Sequence, residues 1–109
     1  RAADTQQQIG GTSNVAAYEA FLRGHALYDL STGSESDRAA LAQFDAAIAA
    51  DPDYAAAHAM RSTMLATIAG AANDVEEARR LYAQAITAAE RAIAIEPDLA
   101  RGHLALGLA

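Results

Sequence analysis

The three histidines of this 109-residue chain are the side chains best suited to bind a metal or to transfer protons. His58 and His103 are 45 residues apart, and no His-x₃-His pair or carboxylate spacing around them completes a metal site. We therefore interpret both as packing side chains in equivalent positions and predict no bound metal.

Four carboxylates beside the two prolines could serve as general acids or bases, but their positions favour helix ends. They are Asp51, Asp53, Glu96 and Asp98. Nucleophilic and phosphate-binding patterns do not form either: the chain has no cysteine, Gly10-Gly11 lacks the Lys-Ser/Thr of a phosphate-binding loop, and the serines of residues 31–36 have no histidine nearby. We predict no enzymatic activity and no cofactor.

His25 lies among aromatic residues that recur at helical spacing, namely Tyr18, Phe21 and Tyr28. Such a row can pack against a neighbouring helical unit or line a binding surface. A third interpretation is a small-molecule sensor site between Tyr18, His25 and Tyr28.

Two similar segments, residues 40–52 and 85–97, organise the helices that carry these side chains. Each ends in Asp-Pro or Glu-Pro, and a proline disfavours helical geometry at the residue before it. A new alanine-rich run follows each proline, which indicates an internal helix–turn–helix repeat. The identical pairs are Ala40/Ala85, Ala47/Ala92, Ile48/Ile93 and Pro52/Pro97.

The periodicity predicts five helices, at about residues 15–30, 37–50, 54–70, 75–95 and 99–109. Ser13 or Asn14 can cap the first helix, Asp53 the third, and Asn73 or Asp74 the fourth. Gly33 favours a left-handed turn before the second helix, with a capping box at Thr32/Glu35 or Ser34/Asp37. Residues 1–14 read as a polar, frayed linker.

Composition supports an all-α fold with a core made mainly of alanine. Hydrophobic residues make up 52% of the chain, and alanine supplies most of them, so helices must approach closely around a few large anchors. We expect these anchors to be Tyr18, Phe21, Leu22, Leu27, Phe44, Ile48, Leu65, Leu81, Tyr82, Ile86, Ile93 and Leu99.

The net charge of −6 argues against a nucleic-acid partner. No apolar run reaches the ~18 residues of a membrane span. Both the cytoplasm and the periplasm stay open as compartments, with the cytoplasm favoured. Because the chain starts at Arg1 and stops within the apolar residues 104–109, we expect it to be a piece of a longer protein.

The repeated segments resemble the tetratricopeptide repeat (TPR), whose pattern has Leu-Gly and Tyr positions, then Ala-x₃-Phe, then Pro, over about 34 residues. The matching residues are Gly24, Leu27, Ala40, Phe44, Ala47 and Pro52 in the first unit, Leu65, Ala85, Ala92 and Pro97 in the second, and Leu106-Gly107 in the third. The sequence departs from the pattern at Arg23, Arg61, Ser62 and Ala89.

The resemblance implies a right-handed α-solenoid with units at about residues 15–53, 54–98 and a truncated 99–109. It further implies a protein-interaction module that binds a peptide or partner helix on its concave face. The residues that it assigns to this face are Tyr18, Phe21, His25, Tyr28, Ala56, Ala59 and Thr63, with Ala66 beside them. The small, uncharged residues of the second unit are unlike TPRs that clamp a terminal carboxylate.

Residues 17–24 are also similar to the first TPR hairpin of bacterial multidomain regulators that carry a winged-helix or class III nucleotide cyclase domain. A structural spacer or dimerisation element within such a regulator is an alternative function. The apolar residues 104–109 predict a homodimer joined through the C-terminal helices.

The two prolines are 45 residues apart instead of about 34. The eleven additional residues correspond to about three helical turns. We therefore expect the third and fourth helices both to be longer than the first two.

Overall fold

Four α-helices joined by short loops make up the described part of the chain. A computed structural model describes residues 11–30 and 33–97, without the side chain of Ser34. The helices are α1 (Val15–Leu30), α2 (Ser34–Ala50), α3 (Ala55–Gly70) and α4 (Val75–Ile95). Helix accounts for 82% of the described residues and no strand occurs among them, which confirms the all-α class. The predicted fifth helix and His103 lie outside the described residues.

The predicted bounds of α1 and α4 are confirmed, and α3 begins one residue later than predicted. The second helix begins at Ser34, three residues before the predicted start. Gly33 occupies the N-cap position of this helix with a φ of 129°, a backbone angle that residues with a Cβ rarely adopt. No side chain caps this end; instead the Ser36 hydroxyl donates to the Gly33 carbonyl (2.9 Å).

The caps predicted for α1 and α4 are confirmed. Asn14 Oδ1 accepts a hydrogen bond from the Ala17 amide (3.0 Å), and the Asp74 carboxylate accepts one from the Glu76 amide (3.1 Å). The prediction that Asp53 caps α3 is wrong, because Tyr54 occupies the N-cap position without a side-chain hydrogen bond.

The prediction that both helices of the second hairpin are longer is wrong for α3. This helix has 16 residues, the same as α1, whereas α4 has 21 against 17 in α2. Tight backbone hydrogen bonds end α3, from the Ala71 amide to the Ile68 carbonyl and from the Ala72 amide to the Ala69 carbonyl (3.1 Å each). Relative to the first hairpin, the additional helical length therefore lies in α4, which is four residues longer than α2.

The first two helices form an antiparallel hairpin. Arg23 Nε donates to Gln43 Oε1 (2.8 Å), and Asn14 Nδ2 donates to the Ala50 carbonyl (3.0 Å). Residue numbers thus rise along α1 as they fall along α2. Gly24 lies against Phe44 next to the Arg23–Gln43 contact, so one side chain is missing where the two helices meet.

The second hairpin, α3 with α4, is also antiparallel. Ser62, a departure from the TPR pattern, is buried and donates its hydroxyl proton to the Ala85 carbonyl (2.6 Å). Near the loop, the Tyr82 hydroxyl lies over Gly70. The polar residue at position 62 therefore joins the two helices instead of disturbing their contact.

Ion pairs link the two hairpins along their length. Arg61 on α3 pairs with Asp45 on α2 (2.8 Å), and Arg38 near the start of α2 lies 4.0 Å from Glu77 near the start of α4. Asp53, just after α2, lies 3.6 Å from Arg91 near the end of α4. Equivalent ends of α2 and α4 are thus adjacent, so these two helices run in the same direction.

The core combines alanines with a few large side chains, as composition predicted. Phe44, Tyr54, Met64 and Leu65 are the largest fully buried hydrophobic side chains. Two predicted anchors are wrong, because Leu22 is 48% exposed and Tyr82 is 39% exposed. The remaining members of the core around the first hairpin are Ala17, Ala20, Phe21, Ala40, Ala47, Ala57 and Met60.

Candidate functional site

The aromatic row on α1 runs from the core to the surface. The ring of Phe21 is buried, with centroids 5.6 Å from Phe44 and 5.0 Å from Tyr54. Its centroid also lies 4.8 Å from that of His25, which is half-buried. The row continues from His25 to Tyr28, whose ring centroid is 6.3 Å away.

Tyr28 is the most exposed member of this row, at 39%. The imidazole of His25 meets the rings of Tyr28 and Phe44 edge to face, at interplanar angles of 89° and 88°. Edge-to-face packing of this kind is favourable beyond the area that it buries. Tyr28 therefore presents an exposed aromatic surface, and its ring packs against the ring of His25.

The three predicted residues on α3 differ in exposure. Ala56 and Thr63 are half-buried, but Ala59 has no exposed surface. The Thr63 hydroxyl donates to the Ala59 carbonyl within its own helix (3.2 Å). Of these three residues, only Ala56 and Thr63 therefore contribute to the surface of α3.

The structure brings Phe21, the buried end of the α1 row, against the start of α3. Phe21 packs on Tyr54, which immediately precedes α3, and Met60 and Met64 share one core cluster with Ala17. Because each helix is antiparallel to the next, α1 and α3 run in the same direction. Tyr18 is half-buried. It lies close enough to Tyr54 to contribute to the raised pKa of the Tyr54 phenol.

Residues 11–14 are fixed against the hairpin ends by contacts of which the sequence indicated only the cap at Asn14. Thr12 is buried and donates its hydroxyl proton to Asp51 Oδ2, and the Asn14 amide donates to the same hydroxyl oxygen (3.1 Å). The frayed linker that the sequence indicated does not extend to these residues. A Thr-x-Asn sequence before a helix is itself a signal for such local hydrogen bonding.

Tyr54 is the second structural residue that sequence reasoning missed. Its side chain is fully buried, and Gly11 lies beside its ring, where an added Cβ would be 3.4 Å from Cε1. Burial raises the pKa of Tyr54 to about 12, with smaller contributions from Tyr18 and Asp51. The phenol is therefore protonated at neutral pH and acts as a core residue, not as a base.

The histidines and carboxylates do not assemble into a metal site within the described residues. His58 Nε2 lies 2.8 Å from the Pro52 carbonyl oxygen, a contact across the α2–α3 turn. In the part of the chain that the structure describes, no group of three or more His, Asp or Glu side chains could hold a metal ion.

Two shallow grooves lie on the second hairpin. One, of about 400 Å³, is lined by Arg61, Arg80, Ala83, Gln84 and Thr87, but Arg61 is already paired with Asp45. The other, of about 500 Å³, follows one side of α4 and is almost entirely apolar apart from one arginine. We call its lining residues the α4 stripe: Val75, Ala78, Arg79, Tyr82, Ala83 and Ile86.

Comparison with known proteins does not place the chain in a family. No protein-family model, curated protein sequence or solved structure matches it. None of the helices described by the structure is sufficiently long and apolar to cross a membrane.

Proposed function

We propose that this chain is a protein-interaction module, built from TPR-like hairpins of a right-handed α-solenoid, that binds a peptide or partner helix across α1 and α3. In this proposal it has no catalytic activity and belongs to a larger bacterial regulatory protein. The observation that carries the proposal is the row Phe21–His25–Tyr28, which leads from the core to an exposed ring.

An exposed tyrosine supported by buried rings has the properties of a binding hot spot. Tyrosine contributes a large apolar surface with few rotatable bonds, and such residues carry much of the binding energy in protein interfaces. The contacts of His25 with Phe21 and Tyr28 hold the row in one arrangement before a partner arrives. Less conformational entropy is then lost on binding.

The neighbouring part of α3 suits an apolar helix better than a charged terminus. Ala56 and Thr63 are small, and the Thr63 hydroxyl is engaged within its own helix. A partner helix that presents apolar side chains at i, i+3 and i+4 can therefore approach this surface closely. In this proposal Tyr18, His25, Tyr28, Ala56 and Thr63 contact the partner, while Phe21 and Ala59 support them from below.

The test is selection of binders from a random-peptide phage library on the immobilised 109-residue chain. Selected peptides should lose at least about tenfold in affinity on Tyr28→Ala, as expected for a hot-spot tyrosine. Tyr82→Ala is the matched control, since both tyrosines are 39% exposed and Tyr82 lies on α4. Binding should be unchanged in this control.

Two outcomes would contradict the proposal. One is a library that yields no peptide with reproducible binding to the folded chain. The other is a set of peptides that bind equally well to the native chain and to the Tyr28→Ala variant. Either would favour the alternative role of a structural spacer.

A further inference from the structure

The α4 stripe is an apolar surface that the two hairpins leave uncovered. Within it Val75 is 70% exposed and Tyr82 39% exposed. The adjacent side of the helix, in its C-terminal half, packs against the rest of the chain, because Ala85, Ala88, Ala89 and Ala92 are buried. The positions of the stripe follow one another at intervals of three, one, three, one and three residues, so they form a continuous band along three turns.

The order of residue types in this band is nearly the same when read from either end. A two-fold axis that passes between positions 80 and 81 of two antiparallel copies would place Val75 opposite Ile86, Ala78 opposite Ala83 and Arg79 opposite Tyr82. Branched aliphatic side chains would then meet at both ends. The alanines between them would allow the two helices to approach closely.

The central pair of this arrangement is also complementary. The Arg79 guanidinium is largely exposed and forms a surface ion pair with Glu76 of the same helix at 3.8 Å. Such pairs contribute little to stability and do not hold an arginine in place. Across the two-fold axis Arg79 could lie over the ring of Tyr82, a cation–π contact that occurs twice in the pair.

We propose that the α4 stripe binds the α4 stripe of a second copy of this chain, as a two-fold antiparallel helix pair. The surface is self-complementary in shape and chemistry, which is the requirement for a two-fold interface. This proposal is independent of the binding surface on α1 and α3, because the two surfaces share no residue.

Residues 99–109, predicted as a helix, are the competing occupant. A helix that runs back along α4 from Pro97 would cover about 16 Å in eleven residues, whereas α4 is about 31 Å long. It could cover Ile86 but would not reach Val75. In the two-fold pair, by contrast, Val75 and Ile86 contact each other, so both ends of the stripe contribute equally.

Sedimentation velocity of the 109-residue chain at tens of micromolar tests the proposal. The native chain should sediment with about twice its mass of 11.3 kDa. Val75→Lys and, separately, Ile86→Glu should each raise the dimer dissociation constant at least about tenfold. Ala46→Lys on the exposed side of α2 is the control and should leave the mass unchanged.

The double variant Val75→Lys with Ile86→Glu makes the test specific for the two-fold geometry. In the antiparallel pair each introduced lysine faces an introduced glutamate of the other copy, so dimerisation should recover relative to either single variant. Tyr82→Ala should weaken the dimer without introducing a charge. Circular dichroism checks that each variant keeps its helix content. If a charged variant unfolds, the dimer dissociation constant of Tyr82→Ala tests the proposal instead.

Three results would overturn the proposal: a monomeric native chain, a dimer that responds to Ile86→Glu but not to Val75→Lys, or no recovery in the double variant. The second result would indicate that residues 99–109 or another surface form the contact. Tyr28→Ala should leave the mass unchanged, so failure here is distinguishable from failure of peptide binding.

Discussion

Gly24 on α1 lies directly against the ring of Phe44 on α2. A Cβ added at Gly24 would lie 2.7 Å from Cε1 and 2.8 Å from Cζ of that ring, which is closer than non-bonded carbon atoms approach one another in proteins. Phe44 has no exposed surface, so its ring cannot turn outward into solvent without opening the core. Because Gly24 has no side chain, α1 can approach the Phe44 ring of α2 closely at this position.

Gly24→Ala should destabilise the protein even though alanine is the better helix former. Alanine gains up to about 1 kcal/mol of helix propensity over glycine, but overpacking of a filled core costs about 1–3 kcal/mol. At the middle of these ranges the net loss in the free energy of unfolding is about 1 kcal/mol, which urea denaturation measures.

Gly70→Ala is the matched control for this substitution. Gly70 is the last residue of α3 and is exposed, and an added Cβ would meet only the Tyr82 hydroxyl at 3.6 Å, an ordinary contact. The control should be neutral or stabilising by up to about 1 kcal/mol. Equal effects of the two substitutions would show that the close contact at Gly24 has no energetic role.

Phe44→Ala should cost about 3–5 kcal/mol, because it removes a fully buried ring and Gly24 offers no side chain to fill the space. Leu22→Ala, at a 48% exposed position on α1, is the control and should cost far less. A loss below about 1 kcal/mol for Phe44→Ala in a denaturant melt would contradict the packing described for the first hairpin.

The helices could be predicted from the sequence because their signals are local. Helical spacing of apolar residues, the Asp-Pro and Glu-Pro stops and the caps Asn14 and Asp74 act within a few residues of each helix end. The bounds of α1 and α4 follow from them. The length of α3 does not, because a repeat period constrains the sum of two helices and a loop but not how residues are divided among them.

The packing could be predicted only in part. Helical spacing shows that Leu22 and Tyr82 share stripes with core residues, but alanines on several sides of a helix leave open which side is buried. Tyr54 was missed because it lies in a turn, outside any helical period, and its burial depends on Gly11 and Phe21 from elsewhere in the chain. The burial of Ala59 was equally beyond the sequence, since it depends on how α3 packs against other helices.

Ser62→Ala should cost about 1 kcal/mol, because it removes a buried hydrogen bond to the Ala85 carbonyl that joins α3 to α4. The control is Thr67→Ala, whose hydroxyl donates to the Thr63 carbonyl (2.9 Å) but is exposed and stays within one helix. Its effect should lie within about 0.5 kcal/mol. Equal losses in thermal melts of the two variants would rule out a joining role for Ser62.

Alkaline pH should destabilise the protein through Tyr54. The pKa of its phenol is 10.0 when unfolded and about 12 in the folded chain, so between these values the unfolded state releases a proton that the folded state retains. Stability is therefore fully present below pH 10 and falls by about 1.4 kcal/mol per pH unit up to about pH 12.

Tyr54→Phe should remove this component of the pH dependence, while Tyr28→Phe, at an exposed tyrosine, should leave it in place. Urea denaturation at a series of pH values from neutral to about 11 measures the difference. An identical slope in Tyr54→Phe and the native chain would show that another group is responsible.

The central claim, that the α1–α3 face is the interaction surface, is tested most directly by NMR. A ¹⁵N-labelled chain titrated with a phage-selected peptide should show its largest amide shift changes at Tyr18, His25, Tyr28, Ala56 and Thr63. The α4 stripe should change little, because the proposed self-association occupies it. Shift changes confined to α4, or spread evenly over all four helices, would contradict the account.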